Sequence, residues 1–498
     1  MTHTPQAITG NHRRSFLAGT VFSASGMGVS ALVTMLTGAI FARWLRPEGF
    51  GLYSLVVAVA TFGAGIGAAG MDYTVSRYVS FYLGSGERQL IRTVIRYALG
   101  WGVTFSLAAG TAVFALLRSG RLAGTRLANL APFALPILFL IPTLAAQGVL
   151  LQAILAMQAV RLRVALEKMV LPWLRLLLPF ALLLCFRDRA AAVAGFGASS
   201  LLLIAAAALA LRGRLHDLPA GASAPAAARA EWRGYAVPYV FFSLQNFVSA
   251  GMGIDMLLVS ALGSVRDSGI YAACFRFTLA LTLARAGMDY AFGPKVGRLF
   301  GQLELGSIRD LYRTSSAIGL AWTLPLAVIF ICFSRPLMAT VFGAPYARGG
   351  PALAVLVIGF AVDGAAGCCN TLLAMIGKPW LVFANGLVGG VFTVVLCLLL
   401  IPSFGMVGAA AAVSVARCAS TAMGIFEIWR LHGFHPFGPA SSKLLLAGAS
   451  IAILGCLFWR YSGPASTQSI LQLGLSAGLI LTTYALALRV ARFSIHLG

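Results

Sequence analysis

Residues 15–41 contain no Asp, Glu, Lys or Arg, and after a short turn bearing Arg43, Arg46 and Glu48 a second uncharged run extends from 49 to 71. A membrane-crossing helix needs about 20 such residues, so these read as two spans rather than a cleavable signal peptide ahead of a soluble domain. Further runs centre near residues 107, 140, 178, 200, 246, 280, 324, 361, 390, 416, 452 and 475, which makes about 14 helices. The fifth carries Arg175 between Pro172 and Pro179, and the thirteenth is short between Lys443 and Arg460; without these two the count falls to about 12. The 498-residue chain is 59% hydrophobic and 10% charged, too little polar side chain to coat a water-soluble protein of this size. The apolar blocks are twice the length of the roughly 10-residue strands of a barrel, and only a helix satisfies such a backbone internally.

The formal net charge of +23 raises the question of nucleic acid, and its distribution answers it. With the N-terminus in the cytoplasm and sides alternating, cytoplasmic segments hold roughly twice as many Lys and Arg residues as external ones, so the positive-inside rule places both termini inside. The cytoplasmic groups include Arg13 and Arg14; Arg77, Arg88, Arg92 and Arg96; Arg161, Arg163 and Lys168; Arg212, Arg214, Arg229 and Arg233; and Lys295, Arg298, Arg309 and Arg313. Short basic clusters between spans suit anionic lipid headgroups, and no nucleic-acid partner is expected.

All eight Cys residues, including the adjacent Cys368 and Cys369, fall in apolar segments and read as small buried hydrophobes, without metal-ligand or disulfide spacing. The six His residues, among them His3, His12, His216 and His496, lie in tails or loops. No Gly-rich phosphate loop is present, so the sequence encodes no recognisable nucleotide hydrolysis. No cofactor is expected, and the chain does not read as an enzyme.

The Ala-, Pro- and Gly-rich stretch 212–234 reads as a flexible cytoplasmic linker. It divides the chain into a first bundle and linker (1–230), a second bundle (231–435) and a terminal helix pair (436–498). ARWLRPEGFGLYSLV at 42–56 has a rough echo in VSALGSVRDSGIYAAC at 259–274, each with a Gly and a Tyr just after a charged turn. Inherited repeat and shared turn chemistry both account for it. Pro132, Pro136 and Pro142 crowd the fourth span, and Gly63, Gly65, Gly67 and Gly70 thin one surface of the second. Such residues serve either moving or static helix contacts.

The opening FARWLRPEGFGLYSLV and GMDYTVSRYVSFYLGSGE, followed by GIYAACFRF, FGAPYARGG and MIGKPWLVFANG, resemble the polysaccharide transport, Wzx-like branch of the multidrug/oligosaccharidyl-lipid/polysaccharide exporter superfamily. Arg46 stands where that family's Gly-Pro-Glu-Gly-Phe-Gly turn has its first Gly. The resemblance implies an all-α, MATE-like polytopic membrane fold of two pseudo-symmetric six-helix bundles plus a terminal pair, in a bacterial inner membrane. It implies a flippase for polyprenyl-diphosphate-linked oligosaccharide in surface or exopolysaccharide biosynthesis, including lipopolysaccharide. Its partners would be that lipid, membrane lipids and a polysaccharide polymerase or chain-length regulator.

An anionic headgroup needs cations in such a cavity, and Arg276 and Arg285 in the eighth span and Arg417 in the twelfth are the candidates for diphosphate binding. An Arg at mid-membrane costs roughly 2.5–3.5 kcal/mol on insertion scales, so each is expected to face protein, as a substrate contact or in an ion pair. Arg276 and Arg285, nine positions apart on one helix and so at different depths, are expected in one cavity. Asp255, Asp289 and Asp363 are candidates for proton or sodium coupling or for structural pairing, with Asp289 spaced to pair with Arg285. Asp72 and Arg77 are spaced for a looser pair across an interfacial turn. The alternatives are a multidrug or cation antiporter and a lipid-linked peptidoglycan precursor flippase.

Overall fold

The computed structural model describes residues 10–438 other than 122–124, 187, 217, 220–224 and 237–252, together with 441, 443, 444, 448, 478 and 482. The runs expected near 246, 452 and 475, and with them the terminal helix pair, lie outside these residues apart from isolated positions. The described chain is all helix: α1 (Gly10–Gly67), α2 (Met71–Ser85), α3 (Gln89–Arg118), α4 (Ala134–Ala156), α5 (Val160–Phe186), α6 (Arg189–His216), α7 (Ile254–Leu262), α8 (Val265–Gly301), α9 (Leu305–Cys332), α10 (Ser334–Phe342), α11 (Gly350–Ala365), α12 (Cys369–Met375) and α13 (Pro379–His432). Among the described residues 8 helices are long and apolar enough to cross a membrane.

Two of these eight are each a pair of helices joined at a break. In α1 the break is at Arg46 (φ 59, ψ 171) before Pro47, and in α13 at Gly405 (φ 56, ψ -134) after Pro402. Proline removes a backbone donor and disfavours helical geometry in the residue before it, which places the first break at Arg46. Helix α8 has 37 residues but is not among the eight, because Arg276, Arg285 and its other polar residues dilute its apolar character.

The helices pack in two groups. Helix α4 packs on α1, α2, α3 and α6, and α5 on α6; in the other group α8 packs on α7, α9 and α11, and α11 on α9 and α13. The groups meet along α1 and α8, the most extensive helix pairing among the described residues. Here the two segments of the sequence echo touch. A Cβ at Gly51 would land on the Val265 carbonyl oxygen, and one at Gly269 on the Pro47 carbonyl oxygen, so only glycines permit this approach. The FGAPYARGG segment closes the same junction: the Tyr346 hydroxyl donates to the Ala42 carbonyl at 3.0 Å, and Arg43 donates to the carbonyls of Val341, at 3.0 Å, and Thr340. The glycine face of α1 is likewise a packing surface, since Gly63 and Gly67 make room for Ile141 and Ser106.

The stretch expected as a flexible linker is largely ordered in its described parts. Helix α6 runs on to His216, and 226–236 is helical. Trp232 is buried, with its indole N–H on the Tyr82 hydroxyl at 3.0 Å, and the Tyr78 hydroxyl donates to Glu231 at 2.9 Å. Arg92 donates to the carbonyls of Leu215 and, at 3.0 Å, Leu218. Composition pointed to flexibility because Ala, Pro and Gly dominate it, whereas the docking is done by the few aromatic and charged residues among them.

Candidate functional site

A cavity of about 540 Å³ lies among α1, α2, α4, α5 and α6, with Arg276 of α8 reaching its wall. Local sequence shapes one side. Helix α5 widens into a π-helical segment at Ala165–Val170, immediately before Pro172. Pro172 has no N–H for the Lys168 carbonyl, and its ring crowds that carbonyl, so the helix loosens there. The loosened turn carries Glu167 and Lys168 in the cavity wall. Arg163 joins Glu167 at 3.0 Å and Gln152 at 2.9 Å, and Lys168 joins Glu167 at 2.8 Å.

Deeper in the wall stand two further cations. The Arg175 guanidinium lies 4.5 Å from the centroid of the Phe196 ring. Arg276 packs against Gly38, where a Cβ would come within 3.3 Å of its Nε. Tyr53 lies within electrostatic reach of both arginines. The lining therefore sets Arg163, Lys168, Arg175 and Arg276 against Asp72 and Glu167. Ser54 Oγ, Asp72 Oδ1, Gln147 Oε1, Arg175 Nε and Arg276 Nε, all on lining residues, are buried without a hydrogen-bond partner among the described residues. Each such atom costs about 1–3 kcal/mol, more for charged groups, unless water or a polar ligand in the cavity reaches it.

Arg285 and Arg417 are not part of this lining. Asp363, 5% exposed, holds both: Arg285 at 2.7 Å and Arg417 at 3.2 Å, with the Thr421 hydroxyl donating at 3.2 Å. The Arg417 guanidinium also covers the Phe360 ring at 4.0 Å. The expectation that Arg276 and Arg285 share one cavity is thus corrected: nine residues along a helix leave them about half a turn apart, so the first faces α1 and the second α11. Arg285 pairs with Asp363 across helices rather than with Asp289 along its own, and Asp289 instead accepts the Thr371 hydroxyl at 2.6 Å. Asp255 is 1% exposed and accepts the Gly253 N–H and the Tyr271 hydroxyl, each at 2.8 Å. Arg77 lies over the Tyr235 ring at 4.7 Å, while Asp72 turns to the cavity.

Sequence reasoning passed over Arg175, Asp72, Gln147, Tyr53 and the Arg163–Glu167–Lys168 group as site residues. The available signal was Arg175 itself, an arginine between two prolines in an apolar run. It weakened a span assignment, whereas in the structure it lines the cavity.

Residues 16–288 match the family model described as polysaccharide biosynthesis protein. The chain belongs to that family. No curated protein matches it by sequence. Its fold resembles that of the lipid II flippase MurJ in an inward closed conformation, at 12% identity over 94% of this chain and 98% of that one, with a TM-score of 0.69. It also resembles an inward-facing multidrug resistance MATE family transporter of the MOP superfamily, at 15% identity over 83% and 98%, TM-score 0.63. A MOP superfamily transporter from Pyrococcus furiosus, whose binding pocket is described as reversed in polarity, matches at 16% identity over 84% and 95%, TM-score 0.60. Family and spans make the chain a multi-pass membrane protein of the polysaccharide biosynthesis family, with a fold like those of the flippase and the MATE transporter.

Proposed function

We propose that this protein flips a polyprenyl-diphosphate-linked oligosaccharide across a bacterial inner membrane for surface polysaccharide assembly. The observation that carries the reading is the cavity wall in which Arg175 and Arg276, from two helices, stand among buried polar atoms without partners among the described residues. A guanidinium offers planar paired donors that match phosphate oxygens, and hydroxyl and amide groups suit sugars. The family's association with polysaccharide biosynthesis supports the same cargo. The isoprenoid tail would stay in lipid.

A second reading, a flippase for a lipid-linked peptidoglycan precursor, is supported by the likeness to the lipid II flippase over 94% of this chain. It shares the diphosphate and differs at the sugar end. A multidrug or cation antiporter has support from the MATE folds. The excess of basic over acidic lining residues speaks for an anion instead, and within this superfamily one fold carries pockets of opposite polarity.

The test is transport in proteoliposomes with a fluorescent lipid-linked oligosaccharide, a peptidoglycan precursor and a cationic dye. Loss of a charge-assisted contact of about 1.5–3 kcal/mol predicts that Arg175→Ala and Arg276→Ala each slow flipping by roughly tenfold or more at normal insertion, with Lys at either position restoring part of it. Wild-type flipping by both Ala variants refutes the cationic-cavity mechanism, and transport of the dye alone refutes the flippase reading.

Proton or sodium coupling is part of the proposal, with Asp255, Asp289 and Asp363 as acidic candidates and Arg285 and Arg417 as cations tied to the last. Both termini are proposed to be cytoplasmic, which puts the Gly51–Gly269 junction at the external end. Thiol labelling of Ala230→Cys, in a background without native cysteines, should occur only after permeabilisation; labelling from outside intact cells reverses the orientation.

A further inference from the structure

The cavity wall carries a second cationic group apart from Arg175 and Arg276. Arg163 Nε joins Glu167 Oε2 at 3.0 Å and Lys168 Nζ joins Glu167 Oε1 at 2.8 Å, so one carboxylate occupies both cations. Adjacent residues on an ideal helix do not face each other, yet Lys168 reaches Glu167 in the π-helical turn of α5. The Gln152 amide oxygen holds another edge of the Arg163 guanidinium at 2.9 Å. The three charged side chains line the cavity and stay reachable from it, 21% exposed for Arg163, 24% for Glu167 and 31% for Lys168. Gly148 lines it too, one turn before Gln152 on α4, and nothing stands within 4 Å of where its Cβ would be, so the neighbouring space is open. A Cβ at Gly49 would lie 3.5 Å from Arg189 Nε, which puts the turn from α5 to α6 at the Gly51–Gly269 junction and the start of α5 toward the opposite end. Lys168 precedes Arg175 by seven residues, about 10 Å along a helix. With the topology proposed above, an anion entering from the cytoplasm meets Arg163 and Lys168 first, and Arg175 and Arg276 after them.

We propose that Arg163 and Lys168 are a loading site for the cargo diphosphate and that Glu167 fills it until the cargo displaces it, a role that rests on the flippase reading. Carboxylate and phosphate present similar paired oxygens to a guanidinium, so the geometry that holds Glu167 also fits a phosphate group. Ion pairs this accessible are weak, and a diphosphate brings more negative charge than the carboxylate it replaces. Asp72, within electrostatic reach of Arg163, lowers the hold further, which suits a site that must pass its anion on to the deeper arginines. A tethered carboxylate competes well with monovalent anions and poorly with a diphosphate, so Glu167 makes the entrance selective.

Pyrophosphate binding to the full chain in detergent, measured by calorimetry at fixed ionic strength, tests the site without transport. Glu167→Gln, which keeps the size and removes the charge, should bind pyrophosphate at least about tenfold tighter than the wild type. Lys168→Gln, which leaves the Arg163–Glu167 pair intact, should bind it at least about tenfold more weakly and decides the matter if Glu167→Gln fails to fold. Both shifts should persist when Arg175 and Arg276 are replaced by Ala, which separates this site from the deeper one. Farnesyl diphosphate should bind more tightly than pyrophosphate, since its tail enters the micelle. Unchanged or weaker binding by Glu167→Gln, unchanged binding by Lys168→Gln, or loss of all binding on replacing Arg175 and Arg276 overturns the loading site. Equal affinity for the two probes assigns the site to free diphosphate and overturns its part in loading a lipid. Absence of lipid-linked oligosaccharide flipping in proteoliposomes, with the binding shifts intact, refutes the flippase reading and leaves the anion site standing.

Discussion

At the scale of single residues, Arg46 adopts φ 59 and ψ 171, a region that essentially only glycine enters without strain. Pro47 and the tight α1–α8 junction hold it there. The side chain is exposed, so little is lost by removing it. Arg46→Gly should stabilise the protein by about 1 kcal/mol or more, read as a higher thermal midpoint in detergent; a lower midpoint would show that the side chain itself contributes. Asp363 is the opposite case, a buried carboxylate shared by two arginines. Asp363→Asn leaves both cations without their counter-charge and should destabilise by about 3–5 kcal/mol. Replacing Arg285, Asp363 and Arg417 together with leucine should recover most of that loss if the cluster is structural. A stable triple variant that no longer transports would instead give the cluster a working role.

At the scale of elements, the docked segment 226–236 shows how few residues fix a helix. Trp232 is fully buried among Tyr78, Tyr82 and Tyr97, with ring centroids 6.4, 6.4 and 5.5 Å away. Truncating a buried tryptophan costs about 3–5 kcal/mol, more than so short a helix gains from its own backbone, so Trp232→Ala should release the segment. Hydrogen exchange would then show lost protection across 226–236, and unchanged protection would place the anchor elsewhere. The π-helical turn of α5 makes a related point. One proline redirects Glu167 and Lys168 into the cavity, which heptad-like spacing along an ideal helix would not have shown.

At the scale of the whole molecule, the two helix groups touch backbone to backbone at Gly51 and Gly269, and an alternating-access transporter must part them there if this end is to open. Gly51→Leu cannot be accommodated in the closed junction. In a background without native cysteines, a cysteine at Phe50, fully buried here, should become reactive to thiol reagents once Gly51→Leu is added. Continued protection would mean that the junction deforms locally instead of parting.

The sequence by itself determined the class of fold, because about 20 uncharged residues have few ways to satisfy their backbone in lipid. It also supplied the kinship, through the turn around Pro47 and the echo at Gly269, and these segments prove to be one contact. Partners across helices were decided only by tertiary structure. Spacing paired Arg285 with Asp289, four residues away, but packing brought Asp363 of α11 nearer; Arg175 and Arg276, a hundred residues apart, line one wall because α5 and α8 both flank α1. Helical periodicity reports which side of one helix a residue occupies. Which charge meets which depends on how helices far apart in sequence settle against one another, where a buried charge takes whatever counter-charge or cavity lies within reach.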